Sequence, residues 1–342
     1  MELLDITKQL CILNAPSGFE RPVYDWIEAY LKPCADDIYS DAMGNLIAVK
    51  RCGREGAKKL MLDAHMDEVG FVVTGYEEGY LRFAAVGGVD ARMMPTSEVT
   101  VLTQPPIYGV VAAMPPHILS EEDMKNAVPI DRLFIDTGMS KEEEEKNIPL
   151  GTGISFSGDF IPLRGGLVCS KSLDDRSCAA ILVKAFEQLS AEHLAFDVYC
   201  VISTQEEVGC RGAKAAAGGI MPDYAIVVDV THAVTPDEHS LTVELGKGAA
   251  IGIGPNMNHT MTQHMIHMAE ENHIPYQIEV CPGGSSGTNA TVIQVSGCGV
   301  ATALISLPLR YMHSPSEVID EKDMQSIRQL LLSYIPELEA EV

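Results

Sequence analysis

Basic residues are scarce in this chain. Only 24 lysines and arginines stand against 48 aspartates and glutamates over 342 residues, a formal charge of −24. A nucleic-acid surface needs a basic patch, so that partner is excluded, and anionic membranes are disfavoured. The nine cysteines are odd in number and contain no Cys-x-x-Cys pair, which argues against a disulfide framework and against cysteine-ligated zinc. Cys178, Cys200 and Cys298 lie in apolar runs and read as small core residues in a reducing compartment. No apolar run is long enough to span a bilayer. The opening Met1-Glu-Leu-Leu-Asp-Ile-Thr-Lys8 carries early acids and no basic lead, so it does not read as a signal peptide. No internal repeat or low-complexity tract appears. A soluble cytoplasmic protein is expected, with an acidic interior suited to cations.

What the chain has in quantity is apolar segments that end on acids or histidines. Leu3 to Leu13 has the spacing of an amphipathic helix, and a second helix is expected from Glu20 to Leu31, with Trp26 as a packing residue. Lys59-Leu-Met-Leu-Asp-Ala-His65 reads as a strand. From Gly70 to about Leu163, short β-rich runs are split by Gly and Pro clusters, which predicts a small barrel or sandwich. Glu142–Glu145 there reads as a solvated helix face. Strands and helices alternate again after Leu163. The pattern predicts an α/β fold, a mixed sheet covered by helices on both faces, interrupted by an inserted β-rich domain. Residues 1–69 and 164–342 would form the larger, discontinuous domain, and residues 70–163 the insert.

The candidate site follows from where the acids fall. In an open α/β sheet, ligands bind beyond the C-terminal strand ends. His65, Asp174, Glu206, Glu207, Asp229 and His313 all fall at such ends or in the loops that follow. Taken alone, Glu206-Glu207 reads as a solvated turn after the strand Val198–Ile202. Taken together, imidazoles and carboxylates suit zinc, cobalt or manganese. The candidates exceed what one catalytic zinc needs, so two ions are expected. Asp67 is placed to accept the second ring N–H of His65. Asp175 reads as a helix cap or a partner of Arg176. His264 and His267 share a helix face, His117 reads as a loop residue, and Ser285-Ser286-Gly287 lacks the lysine of a phosphate cradle.

Five motifs in order carry a resemblance. Ala64-His65-Met-Asp67-Glu-Val-Gly70, Ser172-Leu-Asp174-Asp-Arg176, Thr204-Gln-Glu206-Glu207-Val-Gly209, Asp229-Val-Thr231 and Arg310-Tyr-Met-His313-Ser-Pro315 resemble the M42 family of dinuclear metallo-aminopeptidases. That family includes the tetrahedral (TET) aminopeptidases and proteins described as glutamyl aminopeptidase or endoglucanase. The likeness extends to Gly87-Gly-Val-Asp-Ala-Arg92 and Pro115-Pro-His117. It implies that Asp174 bridges two metals, that His65 and Asp229 complete one site, and that Glu207 and His313 complete the other. It further implies that Glu206 is the general base on a metal-bridging water and that Asp67 orients His65. Peptides with a free N-terminus would be the substrates. The β-rich insert would serve homo-oligomerisation, from dimer to dodecamer. Gly287-Thr-Asn289-Ala290 departs from the Gly-Thr-Asp-Ala of many members, in a loop near the substrate pocket, so Asn289 bears on substrate preference. The competing readings are a dinuclear hydrolase of another amide, acyl or glycosidic bond, and a non-catalytic assembly protein. Buried unpaired acids argue against the last.

Overall fold

A computed structural model of the chain describes residues 1–119, 127–238, 240, 242–282 and 286–338. Its main sheet has eight strands in the order Asp37–Ser40, Leu46–Lys50, Asp197–Ser203, Lys59–His65, Tyr224–His232, Ala301–Leu309, Ala249–Ile253 and Tyr276–Val280. The four from Asp197–Ser203 to Ala301–Leu309 run parallel, while Leu46–Lys50 and Ala249–Ile253 run against them. Successive side chains on a strand point to opposite faces. Leu60, Leu62 and Ala64 accordingly join one core cluster and Met61 the other. Both faces are covered, which is why the central strands are apolar almost throughout.

The larger cluster lies under the helices Leu3–Cys11, Arg21–Leu31, Leu173–Leu189, His259–Glu271 and Glu321–Glu337. The other lies under Arg211–Ile220, whose Ala213, Ala216 and Ala217 are buried, and under the short Ala290–Ile293. Gly212 makes that approach possible. A Cβ there would lie 2.3 Å from the Thr204 carbonyl oxygen, in the loop that carries Glu206 and Glu207. Trp26 stacks on Tyr30 at 5.4 Å and is a packing residue, as its spacing predicts.

The β-rich insert resolves as a closed six-stranded barrel of Gly70–Glu77, Tyr80–Val86, Phe134–Asp136, Ile107–Ala112, Glu98–Val101 and Gly153–Phe156. It has its own buried cluster, in which the Phe71 ring meets Phe83 at 5.2 Å and Phe156 at 5.1 Å, edge to face. Such aromatic pairs add to the area they bury.

Three expectations are corrected. The strand after Leu163 lies at Leu167–Ser170 and stays outside the main sheet, pairing with Ile161–Pro162 and Glu317–Asp320. Only alternate residues of it are buried, unlike the central strands. Glu144 is buried rather than solvated, with the Thr137 hydroxyl donating to it at 2.9 Å. Cys298 is exposed.

Sheet and barrel meet at Glu68. Its carboxylate lies 2.7 Å from Lys171 Nζ and 3.2 Å from an Arg176 guanidinium nitrogen. It also accepts the Ala15 N–H at 2.8 Å, the barrel hydroxyl of Ser155 at 2.7 Å and the hydroxyl of Ser172. Burial opposes ionisation here, but Arg176 and Lys171 outweigh it and hold the Glu68 carboxyl at about 2, below its ordinary 4.5. A depressed folded-state value contributes stability that is present above pH 4.5 and is lost as pH falls towards 2. Glu68→Gln should therefore melt less steeply with falling pH over that window than the wild type. At neutral pH it should lose about 3–5 kcal/mol, because two buried cations remain. Equal slopes of melting temperature against pH in the two proteins would remove Glu68 from this role.

Candidate functional site

The parallel strands bring their C-terminal ends to one edge of the sheet. His65 ends Lys59–His65 and lies opposite Ser203, the last residue of the neighbouring strand. Glu206 and Glu207 follow in the loop after it. Asp63 pairs with Val227, so two residues further along both strands Asp229 comes level with His65. His313 follows Ala301–Leu309. Asp174 arrives by another route than the sequence suggests. It leaves the small sheet and opens the helix Leu173–Leu189, where Asp174 and Asp175 keep non-helical dihedrals.

These residues converge on a cavity of about 430 Å³. Asp174 stands between the imidazoles, with Oδ1 3.3 Å from His65 Nε2 and Oδ2 3.3 Å from His313 Nε2. Glu207 Oε2 lies 3.2 Å from the same His313 nitrogen. Each ring is held from behind through Nδ1. That of His65 faces the Asp67 carbonyl at 3.2 Å and the Asp67 carboxylate at 3.3 Å. That of His313 donates to the Gly88 carbonyl at 2.7 Å. Acceptors behind Nδ1 place the proton there and turn both Nε2 atoms towards the centre. Asp67 also accepts the backbone N–H of Glu206 at 3.0 Å, that of Glu207 at 3.2 Å and the Ser17 hydroxyl at 2.6 Å. It orients the ring and the adjacent acids together.

The electrostatics are those of crowded buried acids. Burial and the neighbouring Asp174 push Glu207 up to about 7, with His313 partly offsetting them. Burial raises Glu206, with the charge of His65 opposing. Asp229 is raised well above the carboxylate range by burial and by Asp175. Burial would lower His313, but its bonds to Asp174 and Glu207 raise it to about 11. Asp174 is held low against its burial by His313 and His65. Burial thus favours the neutral form of Glu206, Glu207 and Asp229, while Asp174 and the two imidazoles favour one another's charged forms. No lysine or arginine is among the described residues that line the cavity.

The donor set fits a divalent cation. Ligand atoms of His65, Asp174 and Glu207 lie within 4.8 Å of one another, as do those of His65, Asp175 and Asp229. Asp175 Oδ1 is buried with no hydrogen-bond partner, a donor left for a cation. Asp175 is not among the residues that line the cavity, and it is held in a structural contact. Its other oxygen accepts the His65 N–H at 3.1 Å, and Arg176 turns instead to Glu68.

Two contributors carry little sequence signal. Glu317 is buried and accepts the Asp174 N–H at 3.0 Å and the His313 N–H at 2.8 Å. It lies on Glu317–Asp320 in the small sheet, and only the closeness of an acid to His313 in sequence hinted at it. Gly88 comes from the barrel, and the Gly87-Gly88 pair was its only mark. Ser286, Gly287 and Thr288 line the cavity, but the Asn289 side chain turns inward and donates to Asp63 Oδ1 at 2.7 Å and to the Ser203 hydroxyl at 3.0 Å. Its amide meets a buried carboxyl that burial raises to about 7. His264 packs on the Tyr334 ring, His267 lies 3.8 Å from Glu271 and His117 is exposed. Ser285 lies outside the described residues.

The M42 glutamyl aminopeptidase family pattern matches residues 44–330. A lysyl aminopeptidase of Pyrococcus furiosus is 37% identical over 96% of this chain and 95% of its own length. The structure of an aminopeptidase from Desulfurococcus kamchatkensis superposes with a TM-score of 0.90 at 36% identity, covering 98% of this chain and 94% of that one. A Pyrococcus horikoshii TET peptidase, which can assemble into a tetrahedron or a large octahedral shell, gives 0.88 at 32% identity, with 98% and 100% coverage.

Glu317 provides a test of the site as a cation-binding unit. It fixes the backbone of two donors without reaching the cavity centre, as outer partners of a metal site do. Glu317→Ala should stay folded and bind zinc or manganese about ten- to a hundredfold more weakly in a titration. Unchanged affinity would mean that the two N–H contacts are dispensable.

Proposed function

This chain belongs to the M42 glutamyl aminopeptidase family, and on that premise we propose that it removes N-terminal residues from peptides in a metal-dependent reaction. It is a hydrolase acting on peptides; the metal dependence, the residue roles and the mechanism are our reading. The observation that carries the reading is Asp174 between two imidazoles, with Glu206 and Glu207 on the same cavity. We assign His65, Asp174 and Asp229 to one divalent ion, and Asp174, Glu207 and His313 to a second, with zinc or cobalt favoured and manganese allowed. When bound, such ions polarise the scissile carbonyl and make water more acidic.

Glu206 is the residue we assign to proton transfer. It lines the cavity, its pKa is raised by burial, and its Oε1 accepts from the Cys210 thiol at 3.1 Å. A raised pKa suits a group that takes a proton from the attacking water and returns it to the leaving amine. Asp67 holds the Glu206 backbone at 3.0 Å, so the base cannot drift from the acids beside it. Burial of Glu207 and Asp229 keeps bulk water from competing for the donors.

We also propose the domain division at residues 69/70 and 163/164, which the closed barrel with its own core supports. The barrel as an assembly element, a homo-oligomer and a cytoplasmic location complete the reading. Support comes from the assembling TET neighbour and from nine free cysteines. Among the described residues, no helix is long and apolar enough to cross a membrane.

A panel of aminoacyl-p-nitroanilides tests the reaction. Chelation should abolish turnover, and readdition of zinc, cobalt or manganese should restore it. Chelator-resistant hydrolysis would sink the metal dependence. Glu206→Gln should keep its metal content and lose roughly 10²–10⁴-fold in kcat. A variant with near-normal kcat would assign the proton transfer elsewhere.

A further inference from the structure

One carboxylate on the cavity stands outside the cluster. Glu279 lies on Tyr276–Val280, the outer strand of the main sheet, and lines the same cavity as Asp174 and His313. Its Oε2 accepts the Ser306 hydroxyl at 2.6 Å and its Oε1 accepts the Thr231 hydroxyl. Hydroxyls orient a carboxylate but leave its charge in place. The other acids of the cavity crowd around His65 and His313. Among the described residues, Glu279 has no cationic partner at all. Val230, Thr231, Gly287 and Met312 line the same cavity. Family and relative do not decide what such a cavity accepts, since one is named for glutamyl and the other for lysyl residues.

We propose that Glu279 selects peptides whose N-terminal residue carries a cationic side chain, lysine or arginine. The proposal rests on the aminopeptidase reading. A long cationic side chain packs its methylene stem on Val230 and Met312 and brings its charged head to a carboxylate already held in one orientation. That contact is a charge-assisted hydrogen bond, stronger than a neutral one. An N-terminal glutamate would set like charge against Glu279, and no lysine or arginine is among the described residues that line the cavity to relieve it, so the same residue rejects acids as it accepts bases. The chain's net charge of −24 favours cationic substrates at longer range as well.

The test compares wild type with Glu279→Gln on lysyl-, arginyl-, leucyl- and glutamyl-p-nitroanilide. Wild type should favour the basic pair over glutamyl on the order of ten- to a hundredfold in kcat/KM. Glu279→Gln should lose about that factor on the basic pair while leucyl changes less than about threefold. Equal losses on leucyl and lysyl, or a wild-type preference for glutamyl, would overturn the proposal. Glu279→Asp keeps the charge and should keep the ranking; it replaces the glutamine variant if circular dichroism shows that variant to be unfolded, and a reversed ranking counts against Glu279. A second arm needs no turnover: calorimetric titration of both proteins with free L-lysine and L-norleucine. Tighter lysine binding in wild type that disappears in Glu279→Gln supports the assignment, and identical affinities in the two proteins overturn it. Should no nitroanilide be cleaved, the aminopeptidase reading fails, while the binding arm still decides the role of Glu279.

Discussion

Two consecutive acids, Asp67 and Glu68, join the chemistry to the frame. Neighbouring side chains on extended chain diverge, and here the divergence separates two environments. Asp67 turns to the cavity and holds the His65 ring, the Ser17 hydroxyl and two backbone N–H groups of the Glu206-Glu207 loop. Glu68 turns to the joint and meets Lys171, Arg176 and the barrel residue Ser155. Both are fully buried, so each charge depends on its partners. Arg176 extends the joint by donating to the carbonyls of Leu10, Leu13, Ala15 and Met66. A fault on either side is therefore felt on the other.

The fold class was legible because it rests on periodicity. Apolar strands, helical spacing and the change of texture at Gly70 each report local burial, and the sheet, its covering helices and the barrel follow from them. The candidate residues at the ends of parallel strands were legible for the same reason, as a strand end is visible in sequence. Asp174 was legible as an acid but not by route, because a half-buried strand of a small separate sheet and a buried strand of the main one look alike over four residues. Asp175, Glu317 and Gly88 were hidden for a different reason. Each acts through a contact between segments far apart in the chain, such as the 225 positions between His313 and Gly88. Asn289 shows the converse. Its neighbours line the cavity, but its own side chain faces Asp63, and no local pattern tells the direction a loop residue takes.

The acids explain one another once charge is counted locally. Burial drives Glu207 and Asp229 towards the protonated form, while His65 and His313 are driven towards the charged one. Both shifts report the same deficit of positive charge. A divalent cation between Asp174, Glu207 and the imidazoles would relieve it without a proton, and would free the acids to act as ligands. Glu206 differs from Glu207 in what surrounds it. Its neighbour is the Cys210 thiol, and among the described residues no imidazole bonds to its carboxylate. That difference in surroundings is what supports the proposed proton-transfer role of Glu206.

The barrel is part of this account as well as an appended module. His313 keeps its ring orientation through the Gly88 carbonyl, and Gly88 sits just beyond the strand Tyr80–Val86. That strand is fixed by its pairing with Gly70–Glu77, in which Gly70 lies opposite Val86. A side chain at 88 would bring a Cβ within 3.2 Å of the His313 ring nitrogen, so the ring would have to give way by a few tenths of an ångström. The register of the barrel thus sets the position of a site residue that belongs to the main sheet. Because Glu68 anchors the first barrel strand and Gly88 follows the second, the hairpin between them is held at both ends by the site it supports. Insertion of the barrel at this point of the chain has a physical consequence: its first hairpin begins beside Glu68 and ends beside Gly88, so it touches both the buried ion-pair joint and the His313 ring.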